Sequence, residues 1–334
     1  MTDGTRRAYP PFIAADVGGT HARIGLVSAP GVDGQPVRLL RYEKYVCARF
    51  ASLADILREF VAAHAPARVH CGSIACAGYP AGDTVINTNL PWPVSILELR
   101  EALGLRELAL INDFQAMAHA TQYLDARDAV VLAPGVASPR GPVLVVGPGT
   151  GLGAALRIPT TSGRSVILAT EAGQAAFAPT TAREVAVVDR LLQRTEYVSI
   201  EHLLSGPGLV TLYQVLGELD GVTSTLGHPA DITAAALADN DAHALDALQT
   251  FCGLMGSVIG DLVLLYGAQG GVYLAGGILP QIRSFLQQSS FIERFFSKGA
   301  MRGVLAQVPV RLIEHGHLGV IGAATWFVDN RTGD

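Results

Sequence analysis

A strand that ends in a glycine-rich turn and continues directly into a second strand occurs twice in this chain. The first copy covers residues 12–27 around the turn at 16–20, and the second covers residues 143–158 around the turn at 147–153. Strand, tight turn and strand form a β-hairpin. Because the copies lie about 130 residues apart, they predict a coarse internal repeat with one copy in each half. At roughly 150 residues per domain, 334 residues also predict about two domains.

Composition excludes several classes of protein. Apolar residues make up 49% of the chain and charged residues 16%, which predicts a large folded core. The net charge of -5, with no basic run, argues against a nucleic-acid partner. The four cysteines form no CxxC pair and are expected as free thiols in a cytoplasmic protein. The longest apolar stretch, residues 251–266, is interrupted by Asp261 and glycines, so a buried helix is expected rather than a membrane span.

The glycine turns have the composition of phosphate-binding loops, because only glycine lets backbone N–H groups come this close to a phosphate. Asp16, Gly18, Gly19 and Thr20 supply two glycines, a hydroxyl and an acid that can hold Mg²⁺ through water. The second turn supplies four glycines and Thr150. The alternative is that both are ordinary hairpin turns that bind no phosphate.

Two other nucleotide motifs fit the second turn less well. Gly149, Gly151 and Ala154 match a loose dinucleotide fingerprint, with Glu171 twenty positions after Gly151. That fingerprint requires a helix directly after the glycines, whereas Pro159 ends the segment too early. No lysine follows the glycines, so the P-loop pattern is absent.

An apolar run over residues 108–111 stops at Asn112 and Asp113, before the helix-like residues 115–118. This pattern predicts a strand-to-helix junction with both side chains at the carboxyl end of the strand, where open α/β sheets bind ligands. Asp113 is a candidate general base for a substrate hydroxyl, and Asn112 a candidate for orienting the substrate. Alternatively, Asp113 only caps the following helix.

Further carboxylates and amides are candidate sugar ligands, since planar groups of this kind hydrogen-bond adjacent hydroxyls in pairs. Including Asn112 and Asp113 at the strand-to-helix junction, the candidate sugar ligands are Asn89, Asn112, Asp113, Glu171, Gln174 and Glu201. Some have ordinary structural alternatives. Glu201 would complement a helix N-terminus, Gln174 would be a surface residue, and Asn89 would be a turn residue.

Apolar spacing also predicts the principal helices. They are expected over residues 52–64, 182–193, 200–204, 209–216, 242–265 and 319–328, with another beginning at Pro280.

Five motifs carry a resemblance to a known family. They are residues 16–23 (DVGGTHAR), 111–114 (INDF), 147–153 (GPGTGLG), 205–209 (SGPGL) and 274–277 (LAGG). In this order they resemble the bacterial glucokinases of the hexokinase/actin-like ATPase superfamily, and they cover nearly the whole chain. The cysteine-rich zinc motif of the related repressor/kinase group is absent, as is a DNA-reading helix-turn-helix at the front.

The resemblance implies a fold and an activity. The fold would be α/β, a two-domain actin-like ATPase (ribonuclease H-like) fold with a mixed sheet in each domain and an interdomain cleft. Residues 1–120 with 316–334 would form the small domain and residues 121–315 the large one. The activity would be ATP-dependent, Mg²⁺-assisted phosphorylation of the glucose 6-hydroxyl by a cytosolic homodimer. A non-catalytic sugar sensor, an actin-like ATPase or a kinase for a related hexose remain alternatives.

The resemblance also implies roles by position. Asp113 would be the base, and Asn112, Glu171 and Glu201 sugar ligands. The phosphate-binding residues would be Asp16, Gly18, Gly19 and Thr20, then Gly149, Thr150 and Gly151, with Gly276 and Gly277 near adenosine. Gln174 departs from the family, which usually has histidine there. Because glutamine can still donate a hydrogen bond, this departure concerns sugar affinity or preference rather than the reaction.

Overall fold

A computed structural model of the chain describes residues 9–30, 36–65, 68–86, 90–125, 127–314 and 316–331. The chain divides into two compact units. We call residues 1–126 with 315–334 the terminal unit, and residues 127–314 the central unit.

The β-strands divide between the two units in chain order. Those of the terminal unit are β1 (Tyr9–Val17), β2 (His21–Ala29), β3 (Arg38–Val46), β4 (Cys71–Cys76), β5 (Tyr79–Ala81), β6 (Thr84–Ile86), β7 (Val94–Ser95) and β8 (Glu107–Asn112). Those of the central unit are β9 (Ala129–Ala133), β10 (Val143–Pro148), β11 (Leu152–Pro159), β12 (Ser165–Thr170), β13 (Gly271–Leu274) and β14 (Val310–Ile313).

The α-helices follow the same order, and the last one belongs to the terminal unit. They are α1 (Leu53–His64), α2 (Ile96–Leu103), α3 (Asp113–Ala120), α4 (Ala182–Leu192), α5 (Gly206–Asp220), α6 (Pro229–Leu237), α7 (Ala242–Tyr266), α8 (Arg283–Gln288), α9 (Phe291–Phe296), α10 (Arg302–Leu305) and α11 (Leu318–Arg331).

Each unit contains a mixed sheet of the same design. The terminal sheet has the order β3-β2-β1-β4-β8, in which β1, β2 and β3 are antiparallel and β1, β4 and β8 are parallel. The central sheet has the order β12-β11-β10-β13-β14-β9, with β10, β13 and β14 parallel and the other pairs antiparallel. Both glycine turns join the antiparallel strands of a hairpin, β1–β2 and β10–β11, so the predicted hairpins and their repetition are confirmed. A further three-stranded sheet, β5-β6-β7, lies in the terminal unit.

The terminal sheet is buried on both faces, and the alternation of side chains along β1 shows how. Ile13 and Ala15 belong to the cluster that contains the apolar residues of α1. Phe12 and Ala14 belong to the cluster that contains Ala116 of α3 and the apolar face of α11. Because successive strand side chains point to opposite faces, this one strand supports helices on both sides.

Helices of both units begin at polar residues that satisfy unpaired N–H groups. The side chain of Ser52 accepts from the N–H of Asp55 at the start of α1, and Ser205 does the same for Gly208 at the start of α5. Both α5 and α7 end at a glycine in the left-handed conformation, Gly221 and Gly267.

The apolar stretch at residues 251–266 lies within α7, as predicted. This helix is long and apolar enough to cross a membrane by length and composition, but 72% of its most apolar window is buried inside the protein. Packing within the central unit therefore accounts for its composition. All four cysteines are free thiols.

Three predicted helices were wrong in extent. The helix expected over residues 209–216 is the middle of the longer α5 (Gly206–Asp220). Residues 200–204 form turns around a single helical turn, closed by the N–H of Leu204 donating to the carbonyl of Ile200 at 2.9 Å. Ser205 then starts a new helix, since it caps α5 and Pro207 follows. The helix expected from Pro280 begins only at Arg283. Helix α6 and edge strand β9 were not predicted.

Candidate active site

Asp113 is the first residue of α3, directly after β8. The cap of this helix is Asn112, whose Oδ1 accepts from the N–H groups of Phe114 at 3.0 Å and Gln115 at 3.2 Å. Gln115 completes a capping box by accepting from the N–H of Asn112. The alternative explanation for Asp113, that it serves as the cap, is therefore wrong. Its Oδ1 also accepts from Phe114 at 2.9 Å, in the first helical turn, where the helix dipole favours negative charge.

Capping also decides what Asn112 can offer a ligand. Its Oδ1 is already occupied by two backbone donors, whereas its Nδ2 donates to no acceptor among the described residues. Asn112 and Asp113 are both half-buried. The junction therefore presents a hydrogen-bond donor beside a carboxylate, the pair needed to orient a hydroxyl and take its proton.

The parallel strands of the terminal sheet end together. Val17 pairs in register with Cys76, and Cys76 with Asn112. Burial is the main cause that raises the pKa of Cys76 to about 12, and the charges of Asp113 and Asp16 add to it. Both carboxylates therefore lie near the end of β4, at the carboxyl edge of the sheet.

Asp16 is largely buried beside Arg23, its cross-strand neighbour in the hairpin. The Arg23 Nη1 lies 3.2 Å from Asp16 Oδ2. Burial raises the pKa of Asp16 above its ordinary value, and Arg23 opposes that rise. A Cβ on Gly319, near the start of α11, would lie 2.5 Å from the Asp16 Cγ, so glycine is required there.

Asp16 can supply one ligand to Mg²⁺ but not a complete site. No group of three or more His, Cys, Asp or Glu side chains that could hold a metal occurs in the parts of the chain that the structure describes. Mg²⁺ in phosphoryl-transfer proteins is commonly held by one or two carboxylates, waters and the substrate phosphates. A single carboxylate beside a glycine turn, largely buried but with some exposed surface, is compatible with that arrangement.

The turn after β1 is fixed at both ends. The N–H of Gly18 donates to the carbonyl of His21 at 3.0 Å, and the N–H of Cys47 donates to the carbonyl of Thr20 at 3.0 Å. A Cβ on Gly18 would meet nothing closer than 3.8 Å, so packing does not require glycine there. Thr20 is exposed, and Gly18 and Gly19 are half-buried.

The turn after β10 is held by the start of α5. The N–H of Gly149 donates to the carbonyl of Gly151 at 2.7 Å, and the N–H of Gly206 donates to the carbonyl of Gly149 at 2.8 Å. The N–H groups of Thr150 and Gly151 donate to no acceptor in the described parts of the chain. Two such neighbouring N–H groups are suited to binding an anion.

The candidate nucleotide-binding glycines of the central unit differ in whether the fold itself requires glycine. A Cβ on Gly149 would meet only a carbonyl oxygen at 4.0 Å, and one on Gly277 would meet nothing within 4 Å. By contrast, a Cβ on Gly276 would lie 2.2 Å from the Pro148 carbonyl oxygen, and its φ of 109° is left-handed. Gly276 is therefore explained by the fold, whereas Gly149 and Gly277 leave space that a ligand can use.

The candidate sugar ligands of the central unit lie beside this turn. Gln174 Nε2 donates to Glu201 Oε1 at 3.1 Å, and the N–H of Gln174 donates to the carbonyl of Glu171 at 2.9 Å. Glu171 and Gln174 are exposed, and Glu201 is half-buried. Glu201 does not complement a helix N-terminus, because α5 starts at Gly206 and has no acid in its first turn. Asn89 lies outside the described residues.

Sequence reasoning missed two partners in these sites. Arg23 was not assigned to Asp16, although the hairpin register pairs them directly. The second is the N–H of Leu152, which donates to Glu201 Oε2 at 2.7 Å. No local pattern indicates a contact between residues 49 positions apart.

Comparisons with known proteins agree on one family. The sequence model of the family described as Glucokinase matches residues 13–330. A "Glucokinase-like protein" of Xylella fastidiosa (strain 9a5c) is 48% identical over 323 residues, covering 96% of each chain. A "Glucokinase" of Chromobacterium violaceum is 39% identical, over 99% of this chain and 92% of that one. A crystal structure of glucokinase from an Antarctic psychrotroph matches with a TM-score of 0.82 and 35% identity, covering 96% of this chain and 99% of that one.

Proposed function

The chain belongs to the glucokinase family, and we propose that it transfers the γ-phosphoryl group of ATP to the 6-hydroxyl of glucose. The observation that carries the proposal is the junction between β8 and α3. There Asn112 caps the helix, so that capping does not explain the carboxylate of Asp113 at the carboxyl edge of the parallel strands.

Asp113 acts as the general base. It accepts the proton of the 6-hydroxyl as the oxygen attacks the γ-phosphorus and the bond from that phosphorus to the departing ADP breaks. The Nδ2 of Asn112 donates to the sugar. Glu171, Gln174, Glu201 and Asn89 bind the remaining hydroxyls. The side-chain amide of Gln174 supports this role, since it is exposed and carries a donor.

Backbone N–H groups of the two glycine turns bind the phosphates of ATP. The N–H groups of Thr150 and Gly151, which donate to no acceptor among the described residues, support this assignment, as does the open space at Gly18 and Gly149. The segment at Gly276 and Gly277 binds near the adenosine, and Gly19 and Thr20 complete the first turn. Asp16 would hold Mg²⁺ through water. When bound, Mg²⁺ neutralises charge on the phosphate oxygens.

Most of the rate enhancement comes from positioning and charge stabilisation, since little covalent chemistry falls to the protein in phosphoryl transfer. The base contributes about 10²- to 10⁴-fold. The family assignment also supports a homodimer in the cytoplasm. Light scattering of the purified protein checks the oligomeric state, and fractionation of cells checks the location.

A coupled assay with ATP, Mg²⁺ and one sugar at a time tests the proposal. Glucose, mannose, fructose and N-acetylglucosamine are compared, and glucose is expected to give the highest kcat/KM. ATP hydrolysis without a sugar phosphate would instead identify a sugar sensor or an actin-like ATPase. A higher kcat/KM for another sugar would identify a kinase for a related hexose.

A further inference from the structure

Glu201 uses both carboxylate oxygens within the protein. Its Oε2 accepts from the N–H of Leu152 at 2.7 Å, and its Oε1 accepts from Gln174 Nε2 at 3.1 Å. Leu152 directly follows the turn at Gly149–Gly151, and Gln174 ends the segment that contains the other candidate sugar ligands. One carboxylate therefore connects the turn with that segment.

Close packing around this carboxylate shows that its position is built into the fold. A Cβ on Gly151 would lie 2.3 Å from Glu201 Oε2, and a Cβ on Gly173 would lie 2.5 Å from the Leu152 carbonyl oxygen. The N–H of Glu201 also donates to the carbonyl of Gly173 at 2.8 Å. Contact with Glu201 is therefore sufficient to require a residue without a side chain at position 151.

The residues that follow Glu201 bind the other end of the turn. Ser205 Oγ donates to the carbonyl of Glu201 at 2.9 Å, and the N–H of Gly206 donates to the carbonyl of Gly149 at 2.8 Å. The segment 201–206 therefore contacts the turn on both sides of Thr150. The N–H groups of Thr150 and Gly151, which donate to no described acceptor, lie between these two attachments.

From these contacts we infer that Glu201 is a positioning residue for the nucleotide, in addition to its proposed contact with the sugar. By holding the N–H of Leu152, it keeps the turn in the conformation that presents the N–H groups of Thr150 and Gly151 to the polyphosphate. The inference rests on the proposed function, in which this turn binds ATP. Its consequence is that Glu201 affects nucleotide affinity even when no sugar is present.

Calorimetric titration of the sugar-free full-length protein with Mg²⁺ and the non-hydrolysable analogue AMPPNP tests the inference. Glu201→Ala is expected to weaken AMPPNP binding about tenfold or more, because the hydrogen bond lost is made to a charged group. Glu201→Gln keeps an acceptor for the N–H of Leu152 and should rescue part of the loss. Asp241→Ala is the matched control, expected to stay within about twofold of the wild type, because Asp241 is a carboxylate of the same unit that accepts backbone N–H groups at the start of α7 rather than at this turn.

The inference is overturned if Glu201→Ala leaves AMPPNP affinity unchanged and raises only the KM for glucose, since that pattern describes a sugar ligand alone. If Glu201→Ala does not fold, Glu201→Met decides, because methionine fills similar space without a strong acceptor for the N–H of Leu152, and wild-type AMPPNP affinity in that variant refutes the inference. Failure of the proposed function would look different, because the wild type itself would then not bind AMPPNP or not phosphorylate glucose.

Discussion

Replacing Asp113 by asparagine separates its chemical role from its structural one. Asparagine preserves size and hydrogen bonding but cannot accept the hydroxyl proton, so kcat should fall about 10²- to 10⁴-fold. At 1.36 kcal/mol per factor of ten, this is about 2.7 to 5.4 kcal/mol of transition-state stabilisation. The KM for glucose should change little, because the amide can still contact the sugar.

Stability should change far less than activity in this variant. The cap of α3 is Asn112, which stays in place, and asparagine at position 113 can still accept from the N–H of Phe114. The change removes the interaction of a first-turn acid with the helix dipole. That interaction is worth about 0.3 to 1 kcal/mol, which corresponds to less than about 4 °C in Tm.

Steady-state kinetics with saturating ATP and a thermal melt of the same preparation provide the two measurements. Asp55→Asn is the matched control, since Asp55 is the first-turn acid of α1 in the same unit. It should melt like Asp113→Asn but retain wild-type kcat. If Asp113→Asn kept a third or more of the wild-type kcat, the assignment of Asp113 as base would be refuted.

Three further predictions concern packing and protonation. Gly322→Ala in α11 would place a Cβ 2.0 Å from the Ala116 carbonyl oxygen of α3 and is expected to lower the free energy of unfolding by about 1 to 3 kcal/mol in a denaturant titration. Gly303→Ala in α10, with nothing within 4 Å of its Cβ, should be neutral or stabilise by up to about 1 kcal/mol, and equal effects of the two changes would contradict the contact. Burial raises the pKa of Asp16 above 3.8, so the folded state holds its proton more tightly than the unfolded state, and wild-type stability falls as pH rises from 3.8 to the folded-state pKa. The Tm of Asp16→Asn minus that of the wild type should therefore increase as pH rises above about 4 and then level off, and a constant difference would disprove it. Burial raises the pKa of Cys76 and of Cys252 to about 12, so iodoacetamide at about pH 8 should leave both thiols unmodified in the native protein. After denaturation both should be alkylated, which mass spectrometry can check. Rapid labelling of either cysteine in the native protein would contradict its burial.

The strands and the hairpins were predictable because their signals are local. Apolar runs and glycine turns predicted β1, β2, β10 and β11, and apolar spacing predicted helices such as α1 and α7. The helix predicted over residues 200–204 was wrong because Ile200, Leu203 and Leu204 have helical spacing but pack into the core from a turn that ends at Ser205. Tertiary burial, rather than helical periodicity, explains those apolar positions.

The residue types of the candidate site could be read from the sequence, but their partners could not. An acid after a strand indicates the carboxyl edge of a sheet, and this placed Asp113 correctly after β8. The contact of Glu201 with the N–H of Leu152 depends on how the start of α5 packs against the β10–β11 turn. Such contacts follow from the tertiary fold, and for this reason the structural alternatives for Asp113 and Glu201 could be rejected only with coordinates.

Product identity is the most direct test of the central claim. Purified protein is incubated with ATP, Mg²⁺ and glucose, and ³¹P NMR follows ADP and sugar phosphate together. The account predicts glucose 6-phosphate and ADP in equal amounts, with ADP formation dependent on glucose. ADP that accumulates without a sugar phosphate, or a phosphate on a different hydroxyl, would contradict it.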